Sequence, residues 1–373
     1  MTHGEERRPL RIVFAGGGTG GHIYPALAIA DEVRKLRPDV DILFIGTADR
    51  IEARVVPASG YRLETIWISA FKRRIRWSII LFPLKLIVSL IQSWRIMRRV
   101  RPNVVVGTGG YVSGPPVRVA AALNIPTVLQ EQNSYPGVTT RLLADKASRV
   151  FLAFERSKSY LPVLPTVRVV GNPVRSSFGS ITRDQGAAMF GLLPSLTTIL
   201  VFGGSAGAES INAAMLGMVE KIAAMRVQVI WQTGSQESMR LLNAVRELRV
   251  GNMVKVMPYI DRIEYAFGAC DMAICRAGAT TLAELALAGV PAVLVPYPFA
   301  AADHQTHNAA AVAETGGAVV CKDSELSTEL ERLTVDLLQH PDKRAAMAER
   351  MRTLARPRAS QDIAQDILRI AQA

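Results

Sequence analysis

The 373-residue chain contains three cysteines, Cys270, Cys275 and Cys321. An odd, sparse set excludes a disulfide framework and fits a reducing compartment. Cys270 and Cys275 have no further cysteine or histidine at metal-ligand spacing, so they read as small core residues. Glycine (28) and proline (20) are ordinary in amount, which excludes a collagen-like or wholly disordered chain. The longest nearly apolar piece, Ile79–Ile91, contains Lys85 and is too short to span a bilayer. The start, MTHGEERRPLRIVF, lacks the apolar stretch of a signal peptide. Acidic residues are absent from Thr65 to Gln130, a span that holds ten basic ones: Lys72, Arg73, Arg74, Arg76, Lys85, Arg95, Arg98, Arg99, Arg101 and Arg118. The net charge of +12 is therefore partly a local basic field, of the kind that meets nucleic acid, anionic membrane or a phosphorylated substrate.

The length predicts two domains, and 49% hydrophobic residues can fill two cores. Apolar runs at Leu10–Ala15, Asp41–Ile45, Asn103–Val106 and Ile125–Leu129 end in glycine or polar loops and alternate with helical spacing. The pattern restarts at Thr197–Phe202, Gln228–Gln232, Val254–Met257, Met272–Cys275 and Pro291–Val295. This is an α/β chain with two Rossmann-like parallel-sheet domains. Three prolines and two glycines in YLPVLPTVRVVGNPVRSSFG place the hinge within Leu161–Asp184. Domains of 8–170 and 171–355 are expected to face each other across a cleft lined by strand C-terminal ends. Ser360–Ala373 reads as a helix with Ile363, Ala364, Ile367, Leu368 and Ala371 on one face and Ser360 as its cap.

Five of the six residues from Gly16 to Gly21 are glycine. Gly16, Gly18 and Gly21 fit G-x-G-x-x-G after a strand, a dinucleotide fingerprint. FIGTADR, however, puts Asp49 further along than that pattern expects, and no G-K-S/T follows to make a Walker loop. Tight strand–helix packing selects the same glycines. A second glycine loop, Gly203–Gly207 with Ser205, also opens a helix whose first N–H groups suit a phosphate. One such loop per domain points to a phosphorylated ligand. His22 follows the first loop near a helix N-terminus, which favours the neutral imidazole a general base needs; capping or packing the helix start is the competing role.

Seven motifs stand in order: GGGTGGH at Gly16–His22, GGYVSGP at Gly109–Pro115, EQN at Glu131–Asn133, GNPVR at Gly171–Arg175, GGSAGA at Gly203–Ala208, RAGATTLAE at Arg276–Glu284 and HQTHNA at His304–Ala309. Together they resemble the MurG family of bacterial glycosyltransferases over nearly the whole chain. That family moves N-acetylglucosamine from UDP-N-acetylglucosamine to a lipid-linked muramoyl-pentapeptide in cell-wall synthesis. The resemblance implies a GT-B fold, whose C-terminal helix (356–373 here) packs back on the N-terminal domain.

It also implies roles. Donor contacts fall on Thr19, Gly20, Gly21, Asn133, Arg175, Ser205, Ile260, Glu284, His304 and Gln305. Glu284 would accept from the ribose hydroxyls, Ile260 would read the uracil edge through its backbone, and Arg276 has a minor part. Acceptor contacts fall on Gly16, Gly17, Gly18, Gly109, Gly110 and Tyr111. The chemistry is direct, inverting transfer to a sugar 4-hydroxyl, with catalytic roles for His22, Glu131 and Asn133; His22 is the first choice of base and Glu131 the second. No metal and no other cofactor is implied. Expected partners are UDP-N-acetylglucosamine, the undecaprenyl-linked muramoyl-pentapeptide and an anionic membrane surface, and the resemblance allows for other cell-wall synthesis proteins.

FKRRIRWSIILFPLKLIVSLIQSWRIMRRVR, residues 71–101, places apolar groups among basic ones. Trp77, Ile79, Ile80, Leu81 and Phe82 beside Arg73, Arg74 and Arg76 suit contact with an anionic membrane, so a peripheral position on the cytoplasmic face of the inner membrane is expected. From Lys85 to Arg99 the pattern also fits a buried helix pair with solvated arginines. Rival readings are another GT-B transferase with a different lipid-linked acceptor, a nucleic-acid-binding protein and an NAD-dependent oxidoreductase. The basic residues accompany aliphatics rather than the interleaved aromatics of a nucleic-acid binder, which argues against that partner. The oxidoreductase rests on G-x-G-x-x-G alone.

Overall fold

The computed structural model describes residues 9–69, 76–174, 178–204, 207–300 and 303–373. It divides into two units: Met1–Val174 with Arg358–Ala373, and Arg175–Pro357. The first carries a seven-stranded parallel sheet in the order β3-β2-β1-β4-β5-β6-β7, formed by β1 (Arg11–Ala15), β2 (Asp41–Gly46), β3 (Arg62–Thr65), β4 (Val104–Gly107), β5 (Thr127–Glu131), β6 (Arg149–Leu152) and β7 (Val167–Val169). Its helices are α1 (Gly20–Leu36), α2 (Ile51–Ala58), α3 (Arg76–Val100), α4 (Gly110–Ala122) and α5 (Val138–Leu143). Ile12 pairs in register with Ile42 on one side and Val104 on the other. Because side chains alternate along a strand, Ile12 and Phe14 enter one core layer with the α1 side chains, and Val13 and Ala15 enter the other with Ile96 and Met97 of α3.

The second unit repeats the plan. Six parallel strands run in the order β10-β9-β8-β11-β12-β13: β8 (Thr198–Phe202), β9 (Gln228–Gln232), β10 (Val254–Met257), β11 (Met272–Cys275), β12 (Ala292–Leu294) and β13 (Ala318–Val320). They alternate with α6 (Arg183–Phe190), α7 (Glu209–Ala224), α8 (Ser238–Glu247), α9 (Ile263–Ala269), α10 (Ala279–Ala288), α11 (His304–Ala313), α12 (Leu326–Gln339) and α13 (Pro341–Thr353). Each sheet sets its first and fourth strands side by side, and the chain winds away from that pair in both directions. This is the topological switch point, where the loops at the strand C-termini part and leave a crevice.

Strands β3, β6, β7 and β13 leave weak sequence signals. Edge segments such as RLET and VRV are partly solvated and lack a continuous apolar run, and RVFL is only four residues. The segment from Lys85 to Arg99 is simpler than a helix pair: it lies within α3, a single 25-residue helix that accommodates Pro83.

The last helix, α14 (Ala359–Gln372), belongs to the N-terminal unit. Its Ile363, Ala364, Ile367, Leu368 and Ala371 share a core layer with Ile12, Phe14 and Ile29. Asp366, also buried, is held by Arg168, by Arg369 at 2.9 Å and by Arg149 at 3.8 Å. Ser360 does not cap this helix. The helix begins one residue earlier, and the Ser360 hydroxyl donates to the Val174 carbonyl at 3.1 Å. Ile363→Ala should cost about 2–4 kcal/mol, although the residue follows the C-terminal unit in sequence. In denaturant the loss should appear in fluorescence from Trp67 and Trp94, and not from Trp231, which the C-terminal unit buries.

Candidate functional site

At the N-terminal switch point the loops after β1 and β4 interlock. A Cβ on Gly16 would stand 2.1 Å from Thr108 Oγ1, and one on Gly110 would stand 2.5 Å from the Gly17 carbonyl. A Cβ on Gly17 would meet the Glu52 carboxylate, on Gly18 the Tyr111 ring and on Gly109 His22 Nδ1. What comes so close to this backbone is thus the chain's own polar and aromatic groups. Gly17, Gly18, Gly109 and Gly110 also take positive φ, where a side chain is strained. Gly21 is different: among the described residues only Thr19 Oγ1 lies near it, at 3.7 Å. Thr19 precedes the first turn of α1 without a side-chain cap, so the Gly20 and Gly21 N–H groups have no acceptor within the helix.

His22 sits in that first turn, with Nδ1 2.9 Å from Gln132 Oε1. Glu131, the other candidate base, is buried and already engaged. One oxygen accepts from the Asn133 backbone N–H at 3.0 Å and from Asn133 Nδ2 at 3.2 Å; the other accepts from Gly137 N at 2.9 Å and Thr140 Oγ1 at 2.7 Å. Its role in this geometry is to clamp the loop that carries Asn133. Burial pushes the Tyr111 phenol up, against the opposing effect of Arg50, whose guanidinium donates to it.

Two residues of this cluster escaped sequence reading. Gln132 lies inside EQN but looks like filler between two candidates. Glu52 lies in the helical segment IEARVVPA, where a glutamate normally faces water. It is fully buried, and its carboxylate accepts from Gly18 N at 3.0 Å, Thr47 N at 3.1 Å and Thr47 Oγ1 at 2.7 Å. The available signal was glycine at Gly17 and Gly46, both of which make room for it.

In the C-terminal domain, Gln232 at the end of β9 plays a matching part. It donates to the Gly204 carbonyl at 2.9 Å and accepts from the Ile260 N–H at 2.8 Å. The Ile260 N–H is therefore held inside the domain. Arg276 is more than the minor residue expected. Only 11% exposed, it pairs with Asp323, donates to Ser210 Oγ at 2.9 Å and to the Val295 and Pro296 carbonyls, and lies over the Tyr297 ring. It ties the β11, β12 and β13 ends together. Gln305 accepts from Tyr297 N at 3.0 Å. His304 opens α11 after Asp303, whose carboxylate takes the Thr306 hydroxyl at 2.6 Å. Glu284 lies on α10, close enough to Cys275 that its charge adds to burial in raising that thiol. Arg175 and Ser205 lie outside the described residues.

The model of the Glycosyltransferase family 28 N-terminal domain matches residues 12–152, and that of the Glycosyltransferase family 28 C-terminal domain matches 198–366. The chain belongs to glycosyltransferase family 28. It is 44% identical over 365 residues to the UDP-N-acetylglucosamine--N-acetylmuramyl-(pentapeptide) pyrophosphoryl-undecaprenol N-acetylglucosamine transferase of Salinibacter ruber, covering 98% of each chain. It is 43% identical to the transferase of that name from Moorella thermoacetica, covering 97% of this chain and 100% of that one. Among solved structures it resembles MurG of Acinetobacter baumannii, with a TM-score of 0.77 and 27% identity over 97% of this chain and all of that one. Two Rossmann-like domains of the GT-B type follow from both the topology and the family.

This family 28 chain also carries an exposed apolar stripe on α3: Leu81, Leu84, Ile87, Ile91 and Trp94 at three- and four-residue spacing, all exposed. Lys85 lies over the exposed Trp67 and Arg98 over Trp94. Ser89, Ser93, Ile96 and Met97 take the buried side. The stripe runs well beyond the five residues expected from sequence; of those five, the side chains of Trp77, Ile79 and Ile80 lie outside the described residues. Among the described residues no helix is long and apolar enough to cross a membrane.

Removing a buried acceptor strands its donors. Glu52→Ala should cost the N-terminal domain of this transferase about 2–4 kcal/mol, and Glu52→Gln less, because an acceptor oxygen survives. Urea titration of both variants checks this order.

Proposed function

We propose that this glycosyltransferase moves N-acetylglucosamine from UDP-N-acetylglucosamine to the 4-hydroxyl of the muramoyl sugar of undecaprenyl-diphospho-muramoyl-pentapeptide, with inversion, in cell-wall synthesis. The observation that carries the reading is the 44% identity, over 98% of both chains, to a transferase of that name. The reading divides the substrates between the domains. Loops of the N-terminal domain, with Gly16–Gly18, Gly109, Gly110 and Tyr111, take the acceptor, and the Gly20 and Gly21 N–H groups offer a helix N-terminus to phosphate. Loops of the C-terminal domain, with Ile260, Glu284, His304 and Gln305, take the donor, joined by Arg175 and Ser205 as the resemblance implies.

In the transfer step the acceptor oxygen forms its bond to the anomeric carbon while the bond to UDP breaks, and UDP leaves with the electron pair. A base takes the hydroxyl proton. Four donors on Glu131 favour His22 for this task, and leave Glu131 to hold Asn133 in place. Charge on the leaving UDP is met by backbone N–H groups, a helix N-terminus and polar side chains.

The α3 stripe supports a peripheral position on the cytoplasmic side of the inner membrane. Its apolar residues would dip among headgroups while Lys85, Arg95 and Arg98 meet anionic lipid; Arg99 is paired with Glu64.

The first experiment is transfer of label from UDP-N-acetylglucosamine to the muramoyl-pentapeptide diphosphate lipid in detergent. Wild-type protein should transfer; absence of transfer while UDP still binds would reject the acceptor. His22→Ala should lower kcat by about 10²-fold or more with UDP affinity unchanged in calorimetry, and near-normal single turnovers would remove His22 as base. A second test reads vesicle cosedimentation. Wild-type protein should prefer anionic over zwitterionic vesicles, less so at high salt, and Leu84→Ser/Ile87→Ser/Ile91→Ser should weaken binding at least about tenfold. Equal binding by the triple variant would remove the stripe from the membrane face.

A further inference from the structure

We infer that Gln132 is the positioning residue for His22. It fixes the imidazole as the Nδ1–H tautomer and so directs the basic lone pair to Nε2. The inference rests on the reading of His22 as base.

The argument starts from two backbone carbonyls, which can only accept. Gln132 is 1% exposed, and its Nε2 lies 2.7 Å from the Thr108 carbonyl and 3.3 Å from the Gln130 carbonyl. Turning the amide over would press Oε1 against both oxygens, so the NH₂ group faces them. Oε1 must then face His22 Nδ1, at 2.9 Å. An amide oxygen cannot donate, so the proton in that bond belongs to Nδ1, and the neutral ring carries its lone pair on Nε2.

Neighbouring amides run in the same direction. Gln132 Nε2 also meets Gln130 Oε1, and Gln130 Nε2 donates to Asn172 Oδ1 at 3.3 Å. Donors and acceptors thus follow one polarity from His22 through Gln132 and Gln130 to Asn172, each of the three amide residues buried. This gives the Q of EQN and the N of GNPVR a common role that neither motif discloses alone. The neighbour at Nδ1 is an uncharged amide, so it orients the ring by a neutral hydrogen bond. Nδ1 donates in both the neutral and the protonated ring. Proton uptake at Nε2 therefore requires no rearrangement at Gln132, and the base is preorganised.

The test is ¹⁵N NMR of histidine-labelled full-length protein, with the His22 signals assigned by their loss in His22→Ala. Above its pKa, wild-type His22 should show a protonated Nδ1 and an unprotonated Nε2. Gln132→Met removes the acceptor while nearly keeping side-chain length, and should shift the ring toward the Nε2–H form that an unconstrained histidine prefers. The same variant should lose about 10–100-fold in kcat with UDP-N-acetylglucosamine affinity unchanged by calorimetry; a wild-type denaturation midpoint in Trp67 and Trp94 fluorescence is the folding control for the N-terminal unit that holds Gln132. Gln132→Leu is the second variant should Met fold poorly. A protonated Nε2 in the wild type overturns the inference. A wild-type Nδ1–H with normal kcat in Gln132→Met but reduced kcat in His22→Ala overturns the positioning role and leaves the base. Normal kcat in both variants overturns the base itself, and the inference with it.

Discussion

A primary amide buried at the end of a parallel strand has two N–H donors and one carbonyl acceptor to satisfy and no water to do it. Gln132 and Gln232 each stand at such an end, one in each domain, and each resolves the problem by tying together two loops that leave the sheet. Gln132 joins the β4 loop to His22 at the start of α1. Gln232 joins the β8 glycine loop to the segment after β10. The switch-point architecture parts these loops; the buried amides set how far. Other features of the site depend on this constraint. The glycines of the first loop permit close interlocking, Glu131 clamps the chain just beyond Gln132, and Glu52 holds the far side of the glycine loop through Gly18.

The same economy explains why the glycine loops mislead when read as ligand cradles alone. Gly16, Gly17, Gly18, Gly109 and Gly110 all make room for neighbouring protein atoms. Of the first loop, Gly21 meets no described side chain closer than Thr19 Oγ1 at 3.7 Å. Packing and binding are not competing explanations here. Close packing of one part of the loop presents the N–H groups of the rest. In the C-terminal domain the nearly buried Arg276 guanidinium has a comparable part, since its five donors can hold several strand-end carbonyls and a carboxylate at once.

Legibility followed burial and continuity. Central strands such as β9 and β11 were readable to the residue because a strand covered on both faces is a nearly unbroken apolar run. Edge strands β3, β7 and β13 were not, since half-solvated backbone tolerates Arg, Glu and Thr. The apolar face of α14 was plain in Ile363, Ile367 and Ala371, whereas Ser360 was misread as a cap because its hydroxyl serves a partner 186 residues away. The stripe on α3 was partly legible: its spacing is helical, but spacing alone does not tell a buried face from an exposed one.

By itself, the sequence determined the parallel α/β class, the two-fold repetition, the basic character of one segment and the family, because periodicity, composition and ordered motifs are local properties of the chain. It also marked His22, Glu131 and Asn133 as polar groups at strand or helix ends. Tertiary structure alone decided how those groups differ: Glu131 is saturated by four donors, and His22 is turned by an amide 110 residues away. It also brought Glu52 beneath the glycine loop. Hydrogen-bond direction in a buried cluster depends on which atoms the fold brings within 3 Å, and no pattern along one strand or helix encodes that distance.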